Sequence, residues 1–223
     1  MSERLQFDEP SHTYKLDGNP IPGLTTMIDE CGYREKGAGF YTTASRQRGN
    51  AVHKVTELID IHAPQARTID EALYYLNIDE RLIGYAAGYL LFKKETNFQP
   101  EIIEKPVAIF SLRVGCIPDR WGKIWNGQKV VVDLKSWKGQ GIRPKHPAEL
   151  QTAGQAMAFR ESMALDTSVR ILLKLPGDGS YRQYVCNNQR DEMTLAACAT
   201  IFWDRYANGY VTIKGDEPET GEE

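Results

Sequence analysis

The segment Val130-Val131-Val132-Asp133-Leu134-Lys135 constrains this chain more than any other. Consecutive β-branched residues suit a pleated surface, and an unbroken apolar run fits a strand covered on both faces better than one that alternates between core and water. Such a strand has to lie inside a sheet with helices packed on it. Charge then appears abruptly at its end. Strand alternation puts Asp133 and Lys135 on one face, with Leu134 opposite.

The surrounding pattern supplies the helices. Val52, Val55, Leu58, Ile59 and Ile61 are spaced for an amphipathic helix from Thr42 to His62, ended near Pro64. A second helical stretch runs from Ile69 to Asn97 with a break around Asn77, and Ala148–Met163 and Gln189–Tyr206 read as two more. Strands are predicted over Ile102–Phe110, Leu112–Asp119, Lys129–Lys135, Val169–Leu175 and Tyr181–Cys186. A small hairpin opens the chain, turning at Asp17-Gly18 and ended by Pro22-Gly23, and a short helix follows over Leu24–Cys31. This order predicts an α/β fold, a mixed central sheet flanked by helices with an N-terminal hairpin and helical region. With 223 residues, 41% of them apolar, and no linker-like stretch, residues 1–214 are expected to form one domain. Residues 215–223, rich in Asp and Glu, read as a flexible acidic tail.

Several classes are set aside at this stage. The longest apolar runs, Leu82–Phe92 and Met193–Trp203, fall well short of the roughly 20 residues a bilayer requires. The N-terminus resembles neither a secretory signal nor a transit peptide, so a cytoplasmic location is expected, with no membrane partner. Cys31, Cys116, Cys186 and Cys198 lie far apart without a C-x-x-C pair, so they are expected reduced, and no iron-sulfur cluster is expected. The net charge of -3 conceals an asymmetry: from Arg113 to Pro147, Arg113, Arg120, Lys123, Lys129, Lys135, Lys138, Arg143 and Lys145 face only Asp119 and Asp133. That region either meets an anion or simply solvates strand edges.

Pro118-Asp119 ends the predicted strand before Lys129–Lys135. A turn near Asn126-Gly127 brings the carboxylates of Asp119 and Asp133 together beside the Lys135 ammonium if the two strands pair. Converging carboxylates are costly without a neutralising cation, and a hard divalent ion is the natural one.

Gly115-Cys116-Ile117-Pro118-Asp119 followed by Val132-Asp133-Leu134-Lys135 resembles the core signature of the PD-(D/E)XK nuclease superfamily. Arg48-Gly49-Asn50-Ala51-Val52-His53 is similar to the upstream helix of its RecB-type and lambda-type exonuclease branch. Gln151-Thr152-Ala153-Gly154-Gln155 resembles that branch's Q-x-x-x-Y motif, with Gln155 in place of the tyrosine. The opening His12-x-Tyr14-x-Leu16-Asp17-Gly18, then Ile21-Pro22-Gly23-Leu24-Thr25, is similar to phage-borne members.

The resemblance implies a restriction-endonuclease-like fold and a metal-dependent DNA exonuclease that works at DNA ends in recombination or repair. A structure-specific or nicking endonuclease on the same core, and a catalytically silent DNA-end or protein-binding module, are the alternatives. It implies Mg²⁺ or Mn²⁺ held by Asp119, Asp133, the Leu134 carbonyl, His53 and Glu104, with Lys135 positioning the attacking water and Gln151 orienting a ligand. Arg48, Arg120, Lys138, Arg143, Lys145 and Gln155 are assigned to the DNA backbone. DNA, single- or double-stranded, is the expected partner, with a single-strand annealing or recombination protein and further copies of the chain as possible companions. Trp121, Trp125 and Trp137 flank the motif strands, where one is free to stack on a base and the others are expected in the core.

Overall fold

The computed structural model describes residues 4–33, 42–136 and 146–216. Its N-terminal part is a three-stranded antiparallel sheet of β1 (Leu5–Asp8), β2 (Thr13–Leu16) and β3 (Asn19–Ile21). The Asp17-Gly18 turn expected between β2 and β3 is there, both residues having positive φ (50° and 82°). Helix α1 (Leu24–Ile28) follows and runs into one wider turn over Asp29–Tyr33.

Helix α2 (Thr43–His62) starts at Thr42, whose side chain accepts the Ser45 N–H, and buries Val52, Val55 and Ile59. The long helical stretch expected next is divided into α3 (Ile69–Tyr75), a 3-10 turn (Glu80–Leu82) and α4 (Ile83–Thr96). A full capping box between Thr68 and Glu71 starts α3. Asn97, in the left-handed conformation, ends α4.

The central sheet has the order β10-β9-β8-β7-β4. Its strands are β4 (Gln99–Ile103), β7 (Arg120–Ile124), β8 (Gln128–Lys135), β9 (Val169–Lys174) and β10 (Arg182–Val185). β8 and β9 are parallel, joined through α5 (His146–Met163), and the other pairs are antiparallel. This is a mixed α/β fold, as expected. The valines of β8 explain why the sheet sits in the middle: Val131 belongs to the core under α1, α5 and α6 (Asp191–Ala207), while Val130, Val132 and Leu134 belong to the core under α2 and α4. All four are fully buried, and each contributes roughly 1.5–3 kcal/mol by leaving water. Among the described residues, no helix is long and apolar enough to cross a membrane.

Two expected strands are organised differently. Ile102–Phe110 is not one strand, because β4 stops at Ile103 and Glu104 takes a positive φ of 47° that turns the chain away. Beyond it, β5 (Val107–Ile109) pairs with β6 (Val114–Cys116) in a separate ribbon packed on α5. The strand that actually pairs with β8 is β7, Arg120-Trp121-Gly122-Lys123-Ile124, whose two bases and glycine hide it from a hydropathy reading. The glycine is required there: a Cβ at Gly122 would sit 2.1 Å from the Gln99 carbonyl oxygen. The acidic tail, expected mobile from Gly215, begins docked. The Asp216 N–H bonds the Ile213 carbonyl and its carboxylate accepts the Tyr206 hydroxyl. The remainder of the tail lies outside the described residues.

A buried charge network joins the second core to the sheet. Asp60, on the inner face of α2, accepts from Lys93 Nζ (2.8 Å), Tyr89 Oη (2.5 Å) and Arg120 Nε (2.7 Å). The Lys93 and Arg120 side chains are wholly inaccessible to solvent, and burial depresses the Lys93 pKa. Removing the shared anion leaves Lys93 buried without a counter-charge and Arg120 with Glu104 alone, so Asp60→Asn is expected to cost about 3–5 kcal/mol. Urea denaturation measures this, and a loss near zero would show that the network does not hold α2 to the sheet.

Candidate active site

The β7–β8 ladder positions the site. Its last pair is Arg120 opposite Val132, which sets Asp119 beside Asp133 at the end of the sheet where β8 finishes. The expected pairing of the two aspartates therefore exists, but Asp119 immediately precedes β7 rather than ending an earlier strand. The Leu134 N–H donates to Asp119 Oδ2 at 2.6 Å. Oδ1 of the same carboxylate lies 3.2 Å from Nδ1 of His53, which α2 carries across the sheet end. Glu104, at the left-handed turn after β4, brings its Oε1 to 3.8 Å from the same ring nitrogen. Ligating atoms of His53, Glu104 and Asp119 all lie within 4.8 Å of one another. Two carboxylates and an imidazole at that spacing are a set of groups that could hold a metal ion.

Asp133 is engaged differently from expectation. It does not belong to the ligating cluster found among the described residues. Its Oδ1 accepts from Gln155 Nε2 (3.0 Å), and its Oδ2 lies 2.7 Å from Lys135 Nζ. Lys135 in turn donates to Gln151 Oε1 at 3.1 Å. The site thus has two adjoining parts, a ligating trio and a carboxylate–ammonium pair held by two amides of α5. Leu134 reaches it through its N–H, on Asp119.

The charges respond accordingly. The Asp119 carboxylate raises His53 to about 10 against the opposing effect of burial. Burial pushes the Asp119 carboxyl upward, but His53, followed by Lys135 and the Leu134 N–H, holds it below the ordinary range. Asp133 is raised by its own burial and by repulsion from Asp119, only partly offset by Lys135 and Gln155. Neighbouring carboxylates are thereby driven apart in acidity.

Two residues assigned to DNA are buried instead. Strand alternation turns Arg120 to the Val132 face, under α2, where it is inaccessible to solvent. Its Nη1 donates to the Asp119 carbonyl (2.6 Å) and Glu104 Oε1 (3.3 Å), and its Nη2 to Thr56 Oγ1 (3.2 Å). Arg120 thus braces two ligating segments and the helix bearing the third. Gln155 lies on the buried face of α5, only 1% exposed, and orients Asp133.

The other assignments fare variously. Arg48 is partly buried on α2, with its Nε unpartnered, one residue before Gly49, which packs near Ser136 at the end of β8. Lys138, Arg143, Lys145 and Trp137 lie outside the described residues. Of the remaining bases, Lys123 pairs with Glu101 at 2.6 Å and Arg113 lies over the Trp203 ring. Trp121 packs in the core against Phe159, while Trp125 is half-exposed in the β7–β8 turn. The bracing roles of Asp60, Thr56 and Arg120 were missed. The available signal was an acid at position 60, four residues after Thr56 and eight after Val52, on the apolar face of α2.

No protein-family model and no curated protein matches the sequence. Among solved structures, the crystal structure of SSO0001 is similar at a TM-score of 0.36 and 13% identity, over 86% of this chain and 86% of that one. A likeness at that level carries no argument about this chain.

The His53 shift has a consequence for stability. With divalent ions chelated, a pKa raised from 6.5 to about 10 stabilises the fold fully below pH 6.5 and ceases to do so as pH rises through about 10. The difference in urea midpoint between the wild type and His53→Asn is expected to shrink across that interval. A difference that stays constant would show that His53 does not carry its charge against Asp119.

Proposed function

We propose that the chain is a Mg²⁺- or Mn²⁺-dependent deoxyribonuclease that hydrolyses phosphodiester bonds at DNA ends. The observation that carries this reading is the convergence of four segments: α2, the end of β4, the start of β7 and the end of β8. They set a His–Glu–Asp ligating trio against an Asp133–Lys135 pair. The sequence resemblance to PD-(D/E)XK nucleases falls on Asp119, Asp133 and Lys135 of this same group.

His53, Glu104 and Asp119 are the side chains that would hold the ion, which when bound polarises a phosphate oxygen and acidifies water. The chain's own work is orientation and charge. The Leu134 N–H and Arg120 fix the Asp119 carboxylate and carbonyl, so the ligating oxygen does not have to reorganise during reaction. Lys135, with about a third of its side chain exposed (38%), offers an ammonium to the charge that develops on the phosphoryl group, and Gln151 fixes its position. Asp133 balances that ammonium, and Gln155 keeps Asp133 turned towards it. Water attacking in line would form the new P–O bond as the bond to the leaving sugar oxygen breaks and that oxygen takes up a proton, and contacts to the phosphate backbone need no base-specific reading.

Purified protein is to be incubated with linear and with closed circular DNA under Mg²⁺, Mn²⁺ or chelator. Loss of linear DNA alone, abolished by chelator, is the expected result. Cutting of the closed circle would replace the exonuclease by an endonuclease, and no cleavage under either ion would overturn the reading. Lys135→Ala removes one preorganised charge and is expected to lower kcat by about 10²–10³-fold. Retained activity in that variant would place the chemistry elsewhere.

A further inference from the structure

A cavity of about 400 Å³ lies between the N-terminal sheet, α1, α5 and the C-terminal segment around Thr212–Lys214. That volume is within the ~300–1,000 Å³ typical of small-molecule sites. Gln151 and Gln155 line it, and these same side chains bind Lys135 and Asp133. The cavity therefore shares a wall with the hydrolytic group, yet none of the roles described so far uses it.

Gln155 supplies the strongest pointer. Its Nε2 is committed to the Asp133 carboxylate, which can only accept while ionised, so the other amide atom is an acceptor. That Oε1 is buried and has no hydrogen-bond partner, on a residue 1% exposed. A buried acceptor left unpaired is costly, and a donor on a bound molecule relieves the cost. The remaining lining is of two kinds. Ile21, Pro22 and Leu24 form an apolar side, and His12 lies edge-on to the Tyr14 ring, with centroids 5.7 Å apart. Thr25, Thr26 and Thr212 are exposed residues that bring hydroxyls to the cavity.

We propose that this cavity seats the terminal deoxynucleoside of a DNA strand whose adjoining phosphate lies against Asp119 and Lys135. The proposal rests on the nuclease reading. A nucleoside has the matching chemistry, with a flat body for the apolar and aromatic side and N–H or O–H donors for Gln155 Oε1. A seat closed around one nucleoside, next to the bond to be broken, selects strand ends over continuous DNA.

The test uses the full chain with Mg²⁺ and measures binding of deoxynucleoside 5′-monophosphates by calorimetry. Thr26→Trp and Thr212→Trp fill the cavity from exposed positions, and their melting temperatures report whether each folds. Should one melt early, the other gives the result. Mononucleotide binding is expected in the wild type, weakened at least about tenfold in the variants, with a similar rise in KM for linear DNA and kcat nearly unchanged. A linear oligonucleotide is expected to displace the mononucleotide, whereas displacement by a closed circle would overturn the assignment to strand ends. If the wild type degrades DNA but mononucleotides do not bind, or both tryptophan variants bind and cleave as the wild type does, the cavity proposal fails while the nuclease reading stands. If mononucleotides bind, the variants lose them and no DNA is cleaved, the cavity proposal stands and the nuclease reading fails.

Discussion

The Arg120 guanidinium is the point through which the site and the fold are tied together. It is sealed from solvent and spends its donors on the Asp119 carbonyl, Glu104, Thr56 and Asp60. Two of these partners belong to ligating residues, and two belong to the helix that presents His53. A lysine could not reproduce the arrangement, because only a planar fork reaches several acceptors at fixed angles. Asp60 makes the burial tolerable by neutralising Arg120, and Tyr89 and Lys93 satisfy its remaining lone pairs. The His53–Glu104–Asp119 trio is thus placed by a buried charge network.

Beside this brace the site separates its charges into two pairs. Asp119 faces His53 and Asp133 faces Lys135, and the Lys135 charge also reaches Asp119, behind that of His53. The consequence is an asymmetry between two aspartates that the sequence presents as equivalents. One is held ionised and turned to the ligating trio, and the other is raised and bound to the ammonium and to α5.

What could be read in advance follows from how local each cause is. The fate of β8 was visible because three valines and a terminal D-x-K encode both burial and charge within one strand. The proximity of Asp119 to Asp133 was visible too, although through a strand drawn in the wrong place. β7 escaped because its signal is tertiary: Gly122 makes room for the Gln99 carbonyl, and Arg120 is buried only because Asp60 lies 60 residues away in sequence. The same non-local cause turned Arg120 from an apparent DNA contact into a structural brace. Gln155 was misread for a related reason, since on α5 nothing in its own sequence neighbourhood reveals that Asp133 claims its amide.

The proposed function requires His53, Glu104 and Asp119 to hold a divalent ion together. The most direct measurement is anomalous diffraction from a crystal of the protein soaked in Mn²⁺. One strong peak is expected within bonding distance of the His53 imidazole and of both carboxylates. Full Mn²⁺ occupancy elsewhere on the chain, with no peak among these three side chains, would contradict it.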